Sequence, residues 1–129
     1  MMYRKEEIVE PELSINKWAF RTKCAIRGLG LWGKKGYPFV LLPTFMLLTS
    51  WLAGARWNLL VPIALLGIVL VAVEIFNTAI EKVCNIVNED YDKKVKDIKD
   101  ICASAVLIFG ISITATWLWV IISVLMERR

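Results

Sequence analysis

Between Leu13 and Val73 the chain has no aspartate or glutamate. Any carboxylate chemistry must therefore come from Glu12 and the acids before it, or from Glu74 onward. Glycine-rich phosphate loops are missing as well. No GxxxxGK[ST] or GxGxxG follows a strand, which excludes the soluble nucleotide-binding folds. No cleavable signal peptide is expected in the first 30 residues, because Glu6, Glu7, Glu10 and Glu12 occupy the place of an apolar core. Cysteine is scarce and odd in number: Cys24, Cys84 and Cys102 all fall on or near the side read below as cytoplasmic, so no structural disulfide is expected. Internal repeats and low-complexity segments are also absent.

What the chain has in excess is apolar side chains. Its 129 residues are 57% hydrophobic, against roughly 45–50% in soluble globular sequences. They gather in three blocks: Tyr37 to Ala55, Trp57 to about Ile80, and Ile101 to Met126. Each is near the roughly 20 residues that cross a bilayer. This predicts one all-α membrane domain over residues 1–129, with spans near 37–55, 57–83 and 101–126. Pro38 and Pro43 lie in the first span; Pro38 can start a helix, whereas Pro43 is expected to kink it.

Basic residues set the orientation, since they stay on the cytoplasmic side of a span. Residues 1–36 carry eight Lys and Arg, the connection at Arg56 carries one, residues 82–100 carry five, and the tail carries Arg128 and Arg129. The N-terminus and the 84–100 connection are accordingly read as cytoplasmic, in a bacterial inner membrane. The net charge of +4 is read as attraction to anionic headgroups, about 1 kcal/mol per residue near the surface, and not as nucleic-acid binding.

From Ser14, the residues Ile15, Trp18, Ala19, Ala25, Ile26 and Leu29 recur near helical period, with Lys17, Arg21 and Arg27 between them. This predicts an amphipathic surface helix over about 14–32. Gly28, Gly30, Gly33 and Gly36 predict a bend before the first span. The polar connection from Asn88 to Lys94 reads as a loop or helix start, with Asp92 as a candidate cap. Trp32, Trp51, Trp57, Trp117 and Trp119 read as interfacial anchors, and Gly110 and Thr114 as positions of close helix approach.

The chemistry lies in the second block. At 3.6 residues per turn, Glu74, Asn77, Thr78, Glu81, Asn85 and Asn88 share one helix face. Glu74 is seven residues from Glu81, about 10 Å deeper along the axis. An ionisable side chain there costs about 2.5–3.5 kcal/mol on insertion scales, so its presence points to an inward-facing functional role. The structural alternative is that Glu74, Asn77 and Thr78 bond across helices in an oligomer. Two carboxylates on one face, with Lys99 and Asp100 at the next helix entrance, are parts that phosphoryl transfer uses. On their own, Lys99 also reads as an interfacial anchor and Asp100 as a helix-start charge.

The run Glu74-Ile75-Phe76-Asn77-Thr78-Ala79-Ile80-Glu81 resembles the E-x-x-N-[ST]-A-I-E signature of the prokaryotic integral-membrane diacylglycerol kinases and their undecaprenol kinase relatives. The resemblance continues through Asp90-Tyr91-Asp92 and Lys99-Asp100, then Ala103-Ser104-Ala105-Val106-Leu107. It implies an ATP- and magnesium-dependent lipid kinase, a homotrimer with sites between subunits. Glu74 would be the general base, with Asn77 beside it, Glu81 the magnesium ligand, and Glu74 and Ala103 the lipid-facing residues. Glu81, Asp90, Tyr91, Asp92, Lys99 and Asp100 would face the nucleotide. The favoured acceptor is diacylglycerol, giving phosphatidic acid; the alternative is undecaprenol.

One departure stands out. The family's second metal glutamate, a few residues before a phenylalanine, falls here on Gly33 or on Gly36, three before Phe39. Asn85 also stands where some relatives have aspartate. Two further readings follow: a non-catalytic membrane assembly module, and a small ion pathway built on Glu74.

Overall fold

Three long helices account for nearly all of the chain that the computed structural model describes, residues 14–87 and 92–128. They are α1 (Ser14–Leu52), α2 (Trp57–Val87) and α3 (Lys93–Glu127). No strand occurs among the described residues. The apolar blocks therefore form helices, the form in which each backbone N–H and C=O is satisfied within the segment.

The coordinates divide into two units, Met1–Lys34 and Lys35–Arg129. The described part of the first is helical, and residues 17–31 are exposed on every face. Trp18, Ile26 and Leu29 are among them. The helix pattern continues through Gly28, Gly30, Gly33 and Gly36, where a bend is expected from the sequence. Glycine costs a helix about 1 kcal/mol relative to alanine, so it weakens a helix more readily than it ends one. Trp32 differs from an interfacial anchor in being buried.

In the second unit, α2 and α3 carry the two segments long and apolar enough to cross a membrane. Only 17% and 11% of their most apolar windows are buried within the protomer, so most of that surface needs apolar surroundings from outside it. The apolar part of α1, Gly36–Leu52, is shorter. Pro43 sits inside α1 without ending it. A Cβ placed on Gly67 would lie 2.7 Å from the Pro43 Cβ, so the glycine is what allows this proline ring to seat against α2.

The turn between α1 and α2 is closed by two crossed bonds. The Gly54 N–H donates to the Trp51 carbonyl at 2.9 Å and the Ala55 N–H to the Ser50 carbonyl at 3.0 Å. This is the helix-ending pattern that needs a left-handed residue, and Gly54 has φ +86. Arg128 donates to the Ala53 carbonyl at 2.5 Å, tying the end of α3 to the same turn.

The core is a seam. On α2 its buried residues are Leu60, Ile63, Gly67 and Leu70, and on α3 they are Ile113, Val120 and Val124. Met46 of α1 joins them. The alternating spacing of three and four on α2 is that of two helices packed side by side at shallow angle.

Candidate functional site

The same three-and-four spacing continues past Leu70 as Glu74, Asn77, Glu81 and Cys84, and on α3 it runs back from Ile113 as Gly110, Val106, Ala103 and Lys99. The seam thus changes from apolar to polar without leaving its face. Where it changes, a groove of about 560 Å³ opens, lined by Glu74 and Asn77 with Ala103 and Phe39. Leu42, Leu70, Val106, Leu107, Gly110 and Ile111 complete the wall. Because α2 and α3 meet along a shared seam from opposite ends, Ala103 and Asn77 form the polar end and Gly110 and Ile111 the far apolar end.

Glu74 is half-buried, and its two oxygens are engaged from its own helix. The Asn77 side-chain amide donates to Oε2 at 3.4 Å, and the Thr78 hydroxyl donates to Oε1 at 3.3 Å. Residues three and four apart are neighbours on a helix surface, so the Glu-x-x-Asn-Thr order itself makes this arrangement. Both bonds are long, so they orient the carboxylate while leaving capacity for another donor.

Glu81 is exposed, two turns nearer the C-terminal end of α2, and does not line the groove. One turn further, Asn85 accepts a hydrogen bond of 2.7 Å from the Lys99 Nζ. That bond brings the ends of α2 and α3 together and holds the lysine on the side of α2 that carries Glu81. Asp100 is exposed and outside the groove. Since α3 begins at Lys93, Asp100 lies beyond the first turn where a helix dipole favours acids, and that explanation does not apply.

Asp92 is the N-cap of α3, its side chain accepting from the Lys94 N–H at 2.7 Å, which satisfies one of the orphan donors at the helix start. Asp90 and Tyr91 lie outside the described residues. Groups of three or more potential metal ligands do not occur among the described residues, and Gly33 and Gly36 offer no ligating side chain. A single carboxylate is still a workable magnesium donor set when phosphates and waters complete the octahedron; Glu81, with its side chain exposed, fits it.

From the sequence, Glu74, Asn77 and Ala103 were expected to share a site, and they share this groove. An apolar groove was expected, but the residues of its wall were not identified from the sequence, although its α2 and α3 members Leu70, Val106 and Gly110 fall on the heptad positions of the seam.

A family model described as prokaryotic diacylglycerol kinase matches residues 35–121, more than half of the chain. The match takes in the groove, Glu81, Asn85, Lys99 and the Gly36 position, and begins after the segment read as a surface helix. No curated protein and no solved structure matches the chain.

Proposed function

The chain belongs to the prokaryotic diacylglycerol kinase family, and on that premise we propose that it transfers the γ-phosphate of ATP to the primary hydroxyl of diacylglycerol, giving phosphatidic acid. The observation that carries this reading is the Glu74 carboxylate at the polar end of an otherwise apolar groove, with Asn77 and Thr78 fixing its orientation. A lipid alcohol has the same polarity pattern, one hydroxyl above a long apolar tail.

In the proposed reaction the lipid hydroxyl oxygen forms the new bond to phosphorus, the bond to ADP breaks, and the hydroxyl proton passes to Glu74. General bases of this kind contribute about 10²–10⁴ in rate, and the remainder of phosphoryl-transfer catalysis is positioning and charge neutralisation. Glu81 would hold magnesium, which when bound neutralises charge on the transferring phosphate. Lys99 and Asp100 would face the phosphates, and Asp90, Tyr91 and Asp92 the adenosine end. Asp92 can cap α3 and still present its second oxygen outward.

The proposal extends to the setting: a bacterial inner membrane, an amphipathic helix over about 14–32 on its cytoplasmic surface, three spans with the N-terminus and the 84–100 connection in the cytoplasm, and a homotrimer. The small share of α2 and α3 that is buried within one protomer supports both lipid and subunit neighbours. With glycine in place of the second metal glutamate, magnesium binding is expected to be weaker than two carboxylates would give.

The test is transfer of radiolabelled phosphate from ATP by the purified protein in mixed micelles, with diacylglycerol and undecaprenol offered separately and magnesium varied. Transfer to diacylglycerol, saturating only at elevated magnesium, is expected. Transfer to undecaprenol alone would reassign the acceptor. Transfer to neither, together with no magnesium-dependent stabilisation by an ATP analogue, would favour a non-catalytic assembly module, for which the lack of a three-ligand metal cluster among the described residues is the supporting observation.

A further inference from the structure

Gly110 is a seam position on α3 that contributes no side chain to the packing. The neighbouring seam residue Ile113 is fully buried, and a Cβ placed on Gly67, across from it, would lie 3.7 Å from the Ile113 Cδ1. At Gly110 the same construction meets nothing within 4 Å. Glycine inside a helix costs about 1 kcal/mol relative to alanine, and within the protomer no close neighbour requires it here. The open space is the far end of the groove, because Gly110 and Ile111 line it together with Leu70.

We infer that Gly110 is a specificity-determining position, whose missing side chain keeps the apolar end of the groove open and so admits long-tailed lipid alcohols. The inference rests on the proposed lipid kinase reading and deepens it. Gly110 is seven residues from Ala103, about 10 Å along the axis, so a tail whose hydroxyl meets Glu74 passes Leu70 and Val106 before it reaches Gly110. Everything along that path is apolar. A side chain at Gly110 would project into the path and shorten it, without touching Glu74, Asn77 or the nucleotide end.

The occupant is a lipid tail and not a helix of a second copy. A carboxylate at the head of an otherwise apolar groove matches a hydroxyl-bearing amphiphile, and occupation by a helix of a second copy is the outcome that absence of tail labelling would report.

The experiment compares dioctanoylglycerol with dioleoylglycerol as acceptors for the wild-type protein, Gly110→Ala and Gly110→Leu. In Gly110→Leu, the ratio of kcat/KM for the long-chain over the short-chain acceptor is expected to fall by at least about tenfold, the scale on which excess bulk in an apolar pocket discriminates. Gly110→Ala should lie between them, and it guards against a leucine variant that fails to fold. A parallel measurement needs no turnover: a dioleoylglycerol analogue with a diazirine about one third of the way along one tail should label the peptide containing Gly110 in wild type and not in Gly110→Leu. Labelling without any transfer by wild type would sink the kinase reading and leave the groove standing. Equal loss of both acceptors, no labelling at this peptide, or a changed oligomeric mass in both variants would overturn the inference.

Discussion

The half of the α2–α3 seam nearest the α1–α2 turn, called outer here, and the half nearest the α2–α3 connection, called inner, have the same spacing and opposite character. Outward of Leu70, every α2 seam position from Leu60 is buried, and Ile113, Val120 and Val124 meet them from α3. Further ties reinforce that half: the Trp117 indole donates to the Thr49 hydroxyl at 3.0 Å, and Arg128 closes on the Ala53 carbonyl. Inward of Leu70, the seam becomes Glu74, Asn77 and Glu81 facing Ala103 and Lys99, and it opens into a groove. The comparison teaches that one helical repeat can serve as scaffold where its positions are filled with apolar volume, and as a site where they are left small or polar.

The largest expected effect is on chemistry. Glu74→Gln keeps the shape of the side chain and its bonds to Asn77 and Thr78 within reach, yet removes the proton acceptor. Transfer should fall by about 10²–10⁴ with thermal stability in detergent close to wild type. Transfer within a few-fold of wild type would remove Glu74 as the base. It would also break the contrast, since the inner half would then have no chemical role at its half-buried carboxylate.

Next comes the scaffold. Ile113→Ala deletes a side chain with no exposed surface and should cost about 2–5 kcal/mol, the range for buried large-to-small changes. Ile101→Ala, at an exposed position of the inner half, should stay within about 0.5 kcal/mol. Reversible unfolding in mixed micelles reads both. Equal losses would mean that the inner half is packed as tightly as the outer, contrary to the groove.

Much of this was legible in the sequence. The apolar blocks after Arg56 and after Asp100 fall within α2 and α3, since lengths of apolar sequence translate directly into helix. The Glu74–Asn77–Thr78 constellation follows from helix spacing alone, and Asp92 caps α3 as its position before Lys93 implies. The glycine run around Gly28 to Gly36 does not interrupt the helix, because glycine lowers helix stability without specifying a turn, and among the described glycines only Gly54, with its left-handed φ, ends one. The residues that line the groove were not legible: its walls are ordinary apolar residues, and only their heptad register, with Gly110 where bulk belongs, separates a cavity from a core. Pro43 was legible as an irregularity but not as a residue seated on Gly67, which depends on the pairing of α1 with α2.

The smallest expected effect concerns the aqueous end of the inner half, and it tests whether that half is organised or merely open. Asn85 accepts from Lys99 through a neutral amide, so the lysine is held without a carboxylate competing for its charge. Asn85→Ala would release a long side chain whose ordering must then be achieved by the nucleotide, and KM for ATP should rise roughly two- to tenfold, matching the about 0.5–1.5 kcal/mol of a typical hydrogen bond. Asn85→Asp should also raise KM, for the opposite reason: the lysine stays ordered but is paired with a negative charge that repels phosphate. Salt separates the two causes, since screening weakens an exposed ion pair and should narrow the Asp defect while leaving the Ala defect in place. In both variants kcat should hold near wild type, because Asn85 stands apart from the groove where Glu74 is proposed to take the proton. Unchanged KM in both would mean that Lys99 meets ATP from a position Asn85 does not set, and the inner half would then be ordered at Glu74 alone.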